Sequence, residues 1–311
     1  MIYDTIIVGG GPAGLSAGIY VARAGLQAVL FEKSYLGGQA VTTDRIENYP
    51  GFPEPVSGLE VIGRMEEQVR KHNLAIEQKH VVSLESKGSE IYDLHLEDGQ
   101  TLKTKTVIIA TGASPVALDV PGEKEFTGRG ISYCATCDGP LFRDKEIMVV
   151  GGGNSALEET LFLTKFAKKV TIIHRRDAFR GDKILQDRVL RNPKVHLLWT
   201  SKISEIRGDS RVREIVVRNL SDQSTSVHKL DGLFVYIGTK PNTGWLDSMV
   251  QSDEAGYIIT DEKLSTNLPG IFAAGDCRRK MLRQIVTAAG DGALAGMMAY
   301  QYIQHLEGEK A

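Results

Sequence analysis

The chain of 311 residues has only three cysteines, and its charges nearly cancel: 37 Lys and Arg stand against 39 Asp and Glu, a formal net charge of -2. Three cysteines cannot build the disulfide framework of a small secreted domain. Balanced charge gives no global attraction to nucleic acid or anionic lipid, so neither is expected as a partner. The apolar stretch 5–21 is broken by Gly9, Gly10, Gly11, Pro12 and Gly14, which makes it a poor membrane span. Met1-Ile2-Tyr3-Asp4 puts an acid where a signal peptide would carry basic residues. Low-complexity tracts are missing as well. With 42% hydrophobic and 24% charged residues, the chain reads as globular, soluble and cytoplasmic. At ~100–200 residues per domain, two domains are expected.

Glycine is in excess. There are 33, where an average usage of roughly 7% would give about 22. Extra glycine serves unusual backbone conformations or close approach of backbone to a ligand. The pattern of the first glycines says which. A buried-strand run, residues 3–8, leads into Gly9-Gly10-Gly11-Pro12-Ala13-Gly14, a helical pattern to about Ala24 and a second strand, residues 28–32. This is a βαβ unit with G-x-G-x-x-G at its first turn. The arrangement returns 142 residues later: strand 146–150, Gly151-Gly152-Gly153-Asn154-Ser155-Ala156, a helix to about Ala167 and strand 170–174. Each unit continues into a polar hairpin-like stretch and an apolar strand ending in Gly: 94–102 across Asp98-Gly99, then 107–112; and 215–230, then 233–238. Pro115 and Pro241 follow closely, and chain crossings between domains are expected there. The predicted organisation is α/β: two Rossmann-like dinucleotide-binding domains, one inserted into the other, with 1–114 and 243–311 forming the first and 115–242 the second. A last apolar strand, 270–276, and a helix from about Arg283 to Leu306 complete the first domain.

In the first unit Gly9 permits the tight turn, Gly11 admits a pyrophosphate, and Gly14 lets helix and strand pack closely. The helix N-terminus offers N–H groups and a positive dipole end to phosphate. Glu32, ending the second strand, is placed to accept from ribose hydroxyls. In the second unit His174 takes that acidic position, followed by Arg175, Arg176 and Arg180. A carboxylate would repel a 2′-phosphate, whereas an arginine pair attracts it, so this site reads as one for NADPH, held by Gly151, Gly153, Asn154, Ser155, His174 and the three arginines. Two unlike nucleotide sites suggest FAD in the first. Asp276, after Gly275, can bond a ribityl hydroxyl, and Arg283-Gln284-Ile285 opens a helix whose N–H groups can face the flavin pyrimidine oxygen.

Cys134-Ala135-Thr136-Cys137-Asp138 contains the single C-x-x-C. Structural zinc needs four ligands. Cys277 is 140 residues away and no histidine lies near, so no metal is expected. A dithiol redox pair needs an attacking thiolate, a resolving thiol and a proton donor. Asp138 suits the last role, or caps the turn before Gly139-Pro140. Cys277 reads as a small packed residue.

Taken together, Gly9 to Gly14, Gly37-Gly38-Gln39, Glu47-Asn48-Tyr49-Pro50-Gly51, Ala110-Thr111-Gly112, Cys134 to Gly139, Gly151 to Ala156, His174 to Asp177, Ala273 to Asp276 and Arg283-Gln284 closely resemble the low-molecular-weight thioredoxin reductases. The motifs occur in that family's order over essentially the whole chain. The resemblance implies the class II pyridine nucleotide-disulfide oxidoreductase architecture and a homodimeric flavoenzyme passing electrons from NADPH through FAD and the C-x-x-C to thioredoxin. It implies that Cys137 faces the flavin, Cys134 attacks the thioredoxin disulfide, and Asp138 is the acid. Gly38, Gln39, Asn48, Val82, Ala110, Thr111, Gly112 and Gln284 join the flavin environment by the same resemblance, and Arg64 and Arg129 match positions near where thioredoxin is received. Glu32 is not shared by every family member, so its role rests on the local motif. The C-x-x-C and the NADPH loop both lie between the crossings, and the flavin segments lie outside. Both must reach one flavin from the same domain, which predicts rotation about the crossings between half-reactions. A dithiol oxidase and a ferredoxin-fed reductase are the competing readings on this scaffold, with a non-enzymatic flavin-binding module whose cysteines are structural as a third; the arginine pair disfavours the ferredoxin-fed reductase.

Overall fold

The computed structural model describes residues 1–42, 46, 48–86, 88 and 90–308, with 136 and 137 described in backbone only. Glu47 and the side chain of Cys137, both named above, lie outside the described residues. Contacts divide the chain into two compact units, Met1–Ser114 with Lys240–Ala311, and Pro115–Thr239.

The first unit is built on a seven-stranded sheet. Its order is Ala75–Gln78, Ala28–Glu32, Ile2–Val8, Thr101–Ile109, Tyr92–Leu96, Val81–Ser86, with Ile271–Ala273 also on Thr101–Ile109. Ile2–Val8 pairs in parallel with both neighbours. A parallel strand covered on both faces must be apolar throughout, as Ile6, Ile7 and Val8 are. Side chains alternate across the pleat: Ile7, Leu30, Ile108 and Phe272 join one buried cluster, Ile6, Val29, Phe31, Val107 and Ile271 the other. Helix Pro12–Arg23 lies against the long helix Ile285–Gly308. Their backbones come so close that a Cβ at Gly292 would run into the Ala13 carbonyl. Only glycine allows that approach.

Two sequence expectations need correction here. The predicted hairpin arm ending at 102 and the apolar strand 107–112 are one nine-residue strand, Thr101–Ile109. Its first half pairs antiparallel with Tyr92–Leu96 and its second half in parallel with Ile271–Ala273. The polar residues Lys103 and Lys105 had hidden this continuity. The second crossing lies at Thr239/Lys240, not at 242/243. Asn242 already belongs to the first unit: its backbone N–H donates to the Gly112 carbonyl at 3.0 Å, its side-chain amide donates to the Thr111 carbonyl at 2.9 Å, and its Oδ1 accepts from Ser114 at 2.9 Å.

The second unit carries a five-stranded parallel sheet, ordered Val195–Leu198, Lys169–Ile173, Glu146–Gly151, Gly232–Tyr236, Ile131–Ser132. A separate antiparallel sheet is formed by Ser201–Gly208, Val212–Asn219 and Thr225–Lys229. The crossing segments Ala113–Pro115 and Thr239–Pro241 pair as a two-stranded ribbon. No helix among the described residues is long and apolar enough to span a membrane.

Candidate active site

In the first unit the glycine loop sits where the strand Ile2–Val8 gives way to the helix starting at Pro12. Gly9 has φ +109°, and a Cβ there would collide with the Ala110 carbonyl. Gly14 packs directly on the Gly9 carbonyl. Gly11 caps the helix without a side-chain bond, Pro12 takes the first helical position, and the first turn has no acid. Free N–H groups thus meet no competing carboxylate, the arrangement that accepts phosphate. A Cβ at Gly38 would lie 3.8 Å from Gly11 Cα, and one at Gly275 would lie 2.9 Å from Ala13 Cβ. The fold therefore brings Gly9, Gly11, Ala13, Gly14, Gly38, Ala110 and Gly275 to one place.

Glu32 has a second duty that the sequence did not show. Its Oε2 accepts from the Gly10 amide at 2.7 Å and its Oε1 from the Ser34 amide at 3.0 Å. It pins the glycine loop while each oxygen retains a free lone pair. Glu32 also lines a cavity of about 400 Å³ with Tyr35, Leu36, Ile62 and Gln78. Gln39 lies in the short helix Gly38–Thr42. Asn48 Nδ2 donates to Gln284 Oε1 at 3.0 Å, joining residues far apart in the chain. Val82 stands exposed on the edge strand Val81–Ser86.

The clearest sign of an absent polar partner is at 276. Asp276 Oδ1 is buried and makes no hydrogen bond among the described residues. Burial pushes its carboxyl above the usual range, against the pull of Lys280 and Arg283 and with Asp291 adding to the rise. A buried acceptor without a donor is costly, and a ligand hydroxyl would satisfy it. The residues fit the ribityl chain of FAD. Arg283 does not open the last helix, which begins at Ile285; its guanidinium lies 4.2 Å from the Tyr257 ring centroid and its Nε is buried without a partner among the described residues.

Sequence reasoning missed Asp291. Arg278 donates to it twice, at 2.9 and 3.0 Å, Lys280 donates at 2.7 Å, and the Gly275 amide donates at 3.0 Å. This cluster fixes the Gly275–Cys277 turn that carries Asp276. Cys277 is fully buried, its thiol facing the Ile109 and Ala274 carbonyls at 3.4 and 3.3 Å. Burial pushes it up to about 11, so it is an unreactive packed thiol.

In the second unit Gly151 has φ +150° and packs on the Tyr236 carbonyl. Gly153 caps the helix Asn154–Leu163 with open space beside it. His174 is only 5% exposed and lies beside Phe179 and Trp199. Burial holds its imidazole below the ordinary value; a backbone bond at Ala178 opposes this, and Arg180, Arg175 and Arg176 lower it further. The sequence placed it among nucleotide-binding residues. The structure puts its ring beneath the loop, supporting it. Arg175, Arg176 and Arg180 are exposed, with no carboxylate partner among the described residues. The Arg180 amide donates to the Gly152 carbonyl at 2.7 Å, holding the basic turn at the glycine loop. Asn154 is tied to Asp182 by reciprocal bonds of 2.9 and 2.7 Å, and Ser155 is exposed beside it. Unpaired guanidinium groups beside a capless helix start fit a phosphorylated ribose and pyrophosphate.

Cys134 follows the strand Ile131–Ser132 and precedes the one-turn helix Ala135–Asp138. It is disulfide-bonded, whereas Cys277 is a free thiol. Ser132 Oγ accepts from the Cys134 amide at 3.0 Å and donates to its carbonyl at 3.1 Å. The Asp138 amide donates to the Cys134 carbonyl at 3.2 Å, so the turn closes on itself with the carboxyl half-buried.

Residues 3–292 match the pyridine nucleotide-disulphide oxidoreductase family. The thioredoxin reductase of Listeria innocua is 45% identical over 310 residues, covering 98% of this chain and 95% of that one. The solved thioredoxin reductase of Lactococcus lactis superposes with a TM-score of 0.80 at 42% identity, covering 97% and 99% of the two chains. That of Streptococcus pyogenes gives 0.78 at 46% identity, covering 98% and 99%. Matched along nearly its full length in sequence and fold, the chain belongs to the pyridine nucleotide-disulphide oxidoreductase family, among its thioredoxin reductases.

Proposed function

We propose that the chain reduces oxidised thioredoxin with electrons from NADPH, using Cys134 and Cys137 as the redox pair. The disulfide-bonded Cys134, held in the same unit as the unpaired arginines, carries this reading. FAD supplies two-electron transfer between the nicotinamide and the disulfide. Gly9, Gly11, Pro12, Ala13, Gly14 and Glu32 hold its dinucleotide part; Asp276 takes a ribityl hydroxyl; Asn48 and Gln284, joined to each other, border the ring. Gly153, Asn154, Ser155, Arg175, Arg176 and Arg180 hold NADPH. Once the pair is reduced, Cys134 as thiolate attacks one sulfur of the thioredoxin disulfide. Cys137 then attacks Cys134 in the mixed disulfide and releases reduced thioredoxin. Asp138 gives a proton to the leaving sulfur. Since nicotinamide and dithiol groups belong to the inserted unit, and the flavin groups to the other, the cycle includes rotation of the inserted unit between half-reactions. A homodimer working in the cytoplasm completes the reading.

Spectroscopy of the purified protein tests it. The protein should be yellow, bleach with NADPH far more readily than with NADH, and regain colour on adding oxidised thioredoxin. Cys134→Ser should prevent thioredoxin from restoring the colour. Equal bleaching by both nucleotides, or reoxidation by thioredoxin in the variant, would refute the reading.

A further inference from the structure

The segment 174–182 carries Arg175, Arg176 and Arg180 between the strand Lys169–Ile173 and the helix Lys183–Leu190. Its start is fixed to the end of the strand Val195–Leu198 and the residues that follow. The His174 amide donates to the Leu198 carbonyl at 2.9 Å, the Ser201 amide to the His174 carbonyl at 2.9 Å, and the Thr200 amide to the Arg176 carbonyl at 3.1 Å. Its end is fixed to the glycine loop. The Arg180 and Gly181 amides both donate to the Gly152 carbonyl, at 2.7 and 3.2 Å. Next to them stands a side-chain tie: the Asp182 amide donates to Asn154 Oδ1 at 2.7 Å, and Asn154 Nδ2 donates to Asp182 Oδ2 at 2.9 Å.

Asp182 occupies the N-cap of Lys183–Leu190, where an aspartate ordinarily accepts from its own helix, yet its side chain makes no such bond among the described residues. Its carboxylate reaches instead across 28 residues to Asn154, the first residue of the helix Asn154–Leu163. The contact is close. A Cβ at Gly181 would lie 2.6 Å from Leu157 Cδ1 and 2.9 Å from Asn154 Oδ1, and Gln186 Nε2 donates to the Gly181 carbonyl at 2.7 Å. The end of the basic turn and the start of the helix are thus joined as one piece.

We propose that Asp182 is a positioning residue that sets nucleotide specificity. By holding Asn154 it fixes the spacing between the helix N–H groups that meet the pyrophosphate and the arginines that meet the 2′-phosphate. This rests on the reading of the second glycine loop as the NADPH site. A dinucleotide held by its pyrophosphate presents its 2′-phosphate at a set distance, and guanidinium–phosphate bonds depend on direction as well as charge. A turn free to drift would lose those bonds and keep the pyrophosphate contacts. A nucleotide without the 2′-phosphate does not feel the difference. The negative charge of Asp182 by itself disfavours an anionic ligand, so the residue serves the site through the tie and not by attraction. Asn154 in turn serves it through Asp182, which engages both ends of its amide.

Calorimetric titration of the FAD-bound protein with NADP+ and NAD+, neither of which can reduce it, tests the proposal. The proteins are the unaltered chain, Asp182→Ala, Asp182→Asn, and the double variant Arg175→Ala, Arg176→Ala with and without Asp182→Ala. Thermal melts run alongside. Asp182→Ala should weaken NADP+ binding about tenfold, equivalent to ~1.4 kcal/mol. NAD+ binding and Tm should change little, since Asn154 and Asp182 are both exposed and the core is untouched. Asp182→Asn retains an oxygen for Asn154 Nδ2 and the backbone amide for its Oδ1, and should keep NADP+ binding. Added to the arginine double variant, Asp182→Ala should bring no further loss, because the groups it positions are gone. Undiminished NADP+ binding in Asp182→Ala, an equal loss for NAD+, or an Asp182→Asn as weak as the alanine overturns the proposal. The arginine double variant separates the two levels. Undiminished NADP+ binding there defeats the reading of the site itself; a loss there, beside unaltered binding in Asp182→Ala, defeats the positioning alone.

Discussion

The His174 ring lies directly against Gly152, so close that a Cβ at Gly152 would fall on the imidazole. In the first unit the corresponding pair, 142 residues earlier, is Glu32 and Gly10, joined by a hydrogen bond of 2.7 Å. Both second strands thus end in a residue that braces the middle of the glycine loop. One does so by a carboxylate that can still accept from a ribose, the other by a buried ring with lowered basicity that adds no charge. The proposed function accordingly assigns discrimination at the second site to Arg175, Arg176 and Arg180. The double variant Arg175→Ala, Arg176→Ala is expected to lose several kcal/mol of NADPH binding, at ~1.5–3 kcal/mol for each hydrogen bond to a charged group. Titration calorimetry with NADPH and NADH checks this: NADH binding should change little, and equal losses would remove the arginines from the 2′-phosphate.

Asp291 joins two cations to the Gly275 turn from within the last helix. Its side chain is 12% exposed, that of Lys280 7% and that of Arg278 18%. Burial alone would raise its carboxyl, but the bonds from Arg278 and Lys280 outweigh burial and hold it below the usual range. Asp291→Asn leaves two buried cations underpaired and should cost about 3–5 kcal/mol of stability. Since the folded value lies below the unfolded one, the carboxylate's contribution is complete above the unfolded pKa of about 3.9 and is lost as pH falls through the folded value. Urea unfolding at pH 7 and in acid tests both claims: the gap between the two proteins should close only in acid.

The Asn48–Gln284 bond joins two distant segments of the chain, which the proposed function sets beside the flavin. Asn48→Ala and Gln284→Ala should each weaken FAD retention. A double-mutant cycle on FAD affinity should return a coupling of about 0.5–1.5 kcal/mol, the range for a neutral hydrogen bond. Strict additivity would mean the two residues act on the flavin separately.

The sequence shows most plainly what is local. Gly9 and Gly151 are legible because a strand-to-helix turn at positive φ leaves little choice of residue, and the C-x-x-C because its chemistry lies within five residues. Short continuous apolar runs place the central parallel strands for the same reason. What stays hidden depends on distant side chains. Asn242 moves the second crossing by bonding residues 111–114. Asp291 and Arg278 meet only after the last helix folds back. His174 follows the register of Glu32 in the chain but takes a different job in space, because its neighbours Phe179 and Trp199 bury it.

Asp276 sets function against stability. Burial raises its carboxyl above the unfolded value of about 3.9, so the buried carboxylate costs stability at neutral pH in the absence of a donor. That cost is absent below the unfolded pKa and fully developed above the raised folded value. Asp276→Asn in the FAD-free protein should therefore raise Tm at pH 7, and the gain should shrink as pH falls through the folded pKa. The same substitution should weaken FAD binding by about 1.5–3 kcal/mol, the worth of a hydrogen bond to a charged acceptor. Thermal melts of the FAD-free proteins across pH, with fluorescence titration of FAD into each, read the two effects apart. A variant both less stable and unchanged in FAD affinity would show that the buried carboxylate serves packing and not the ribityl chain.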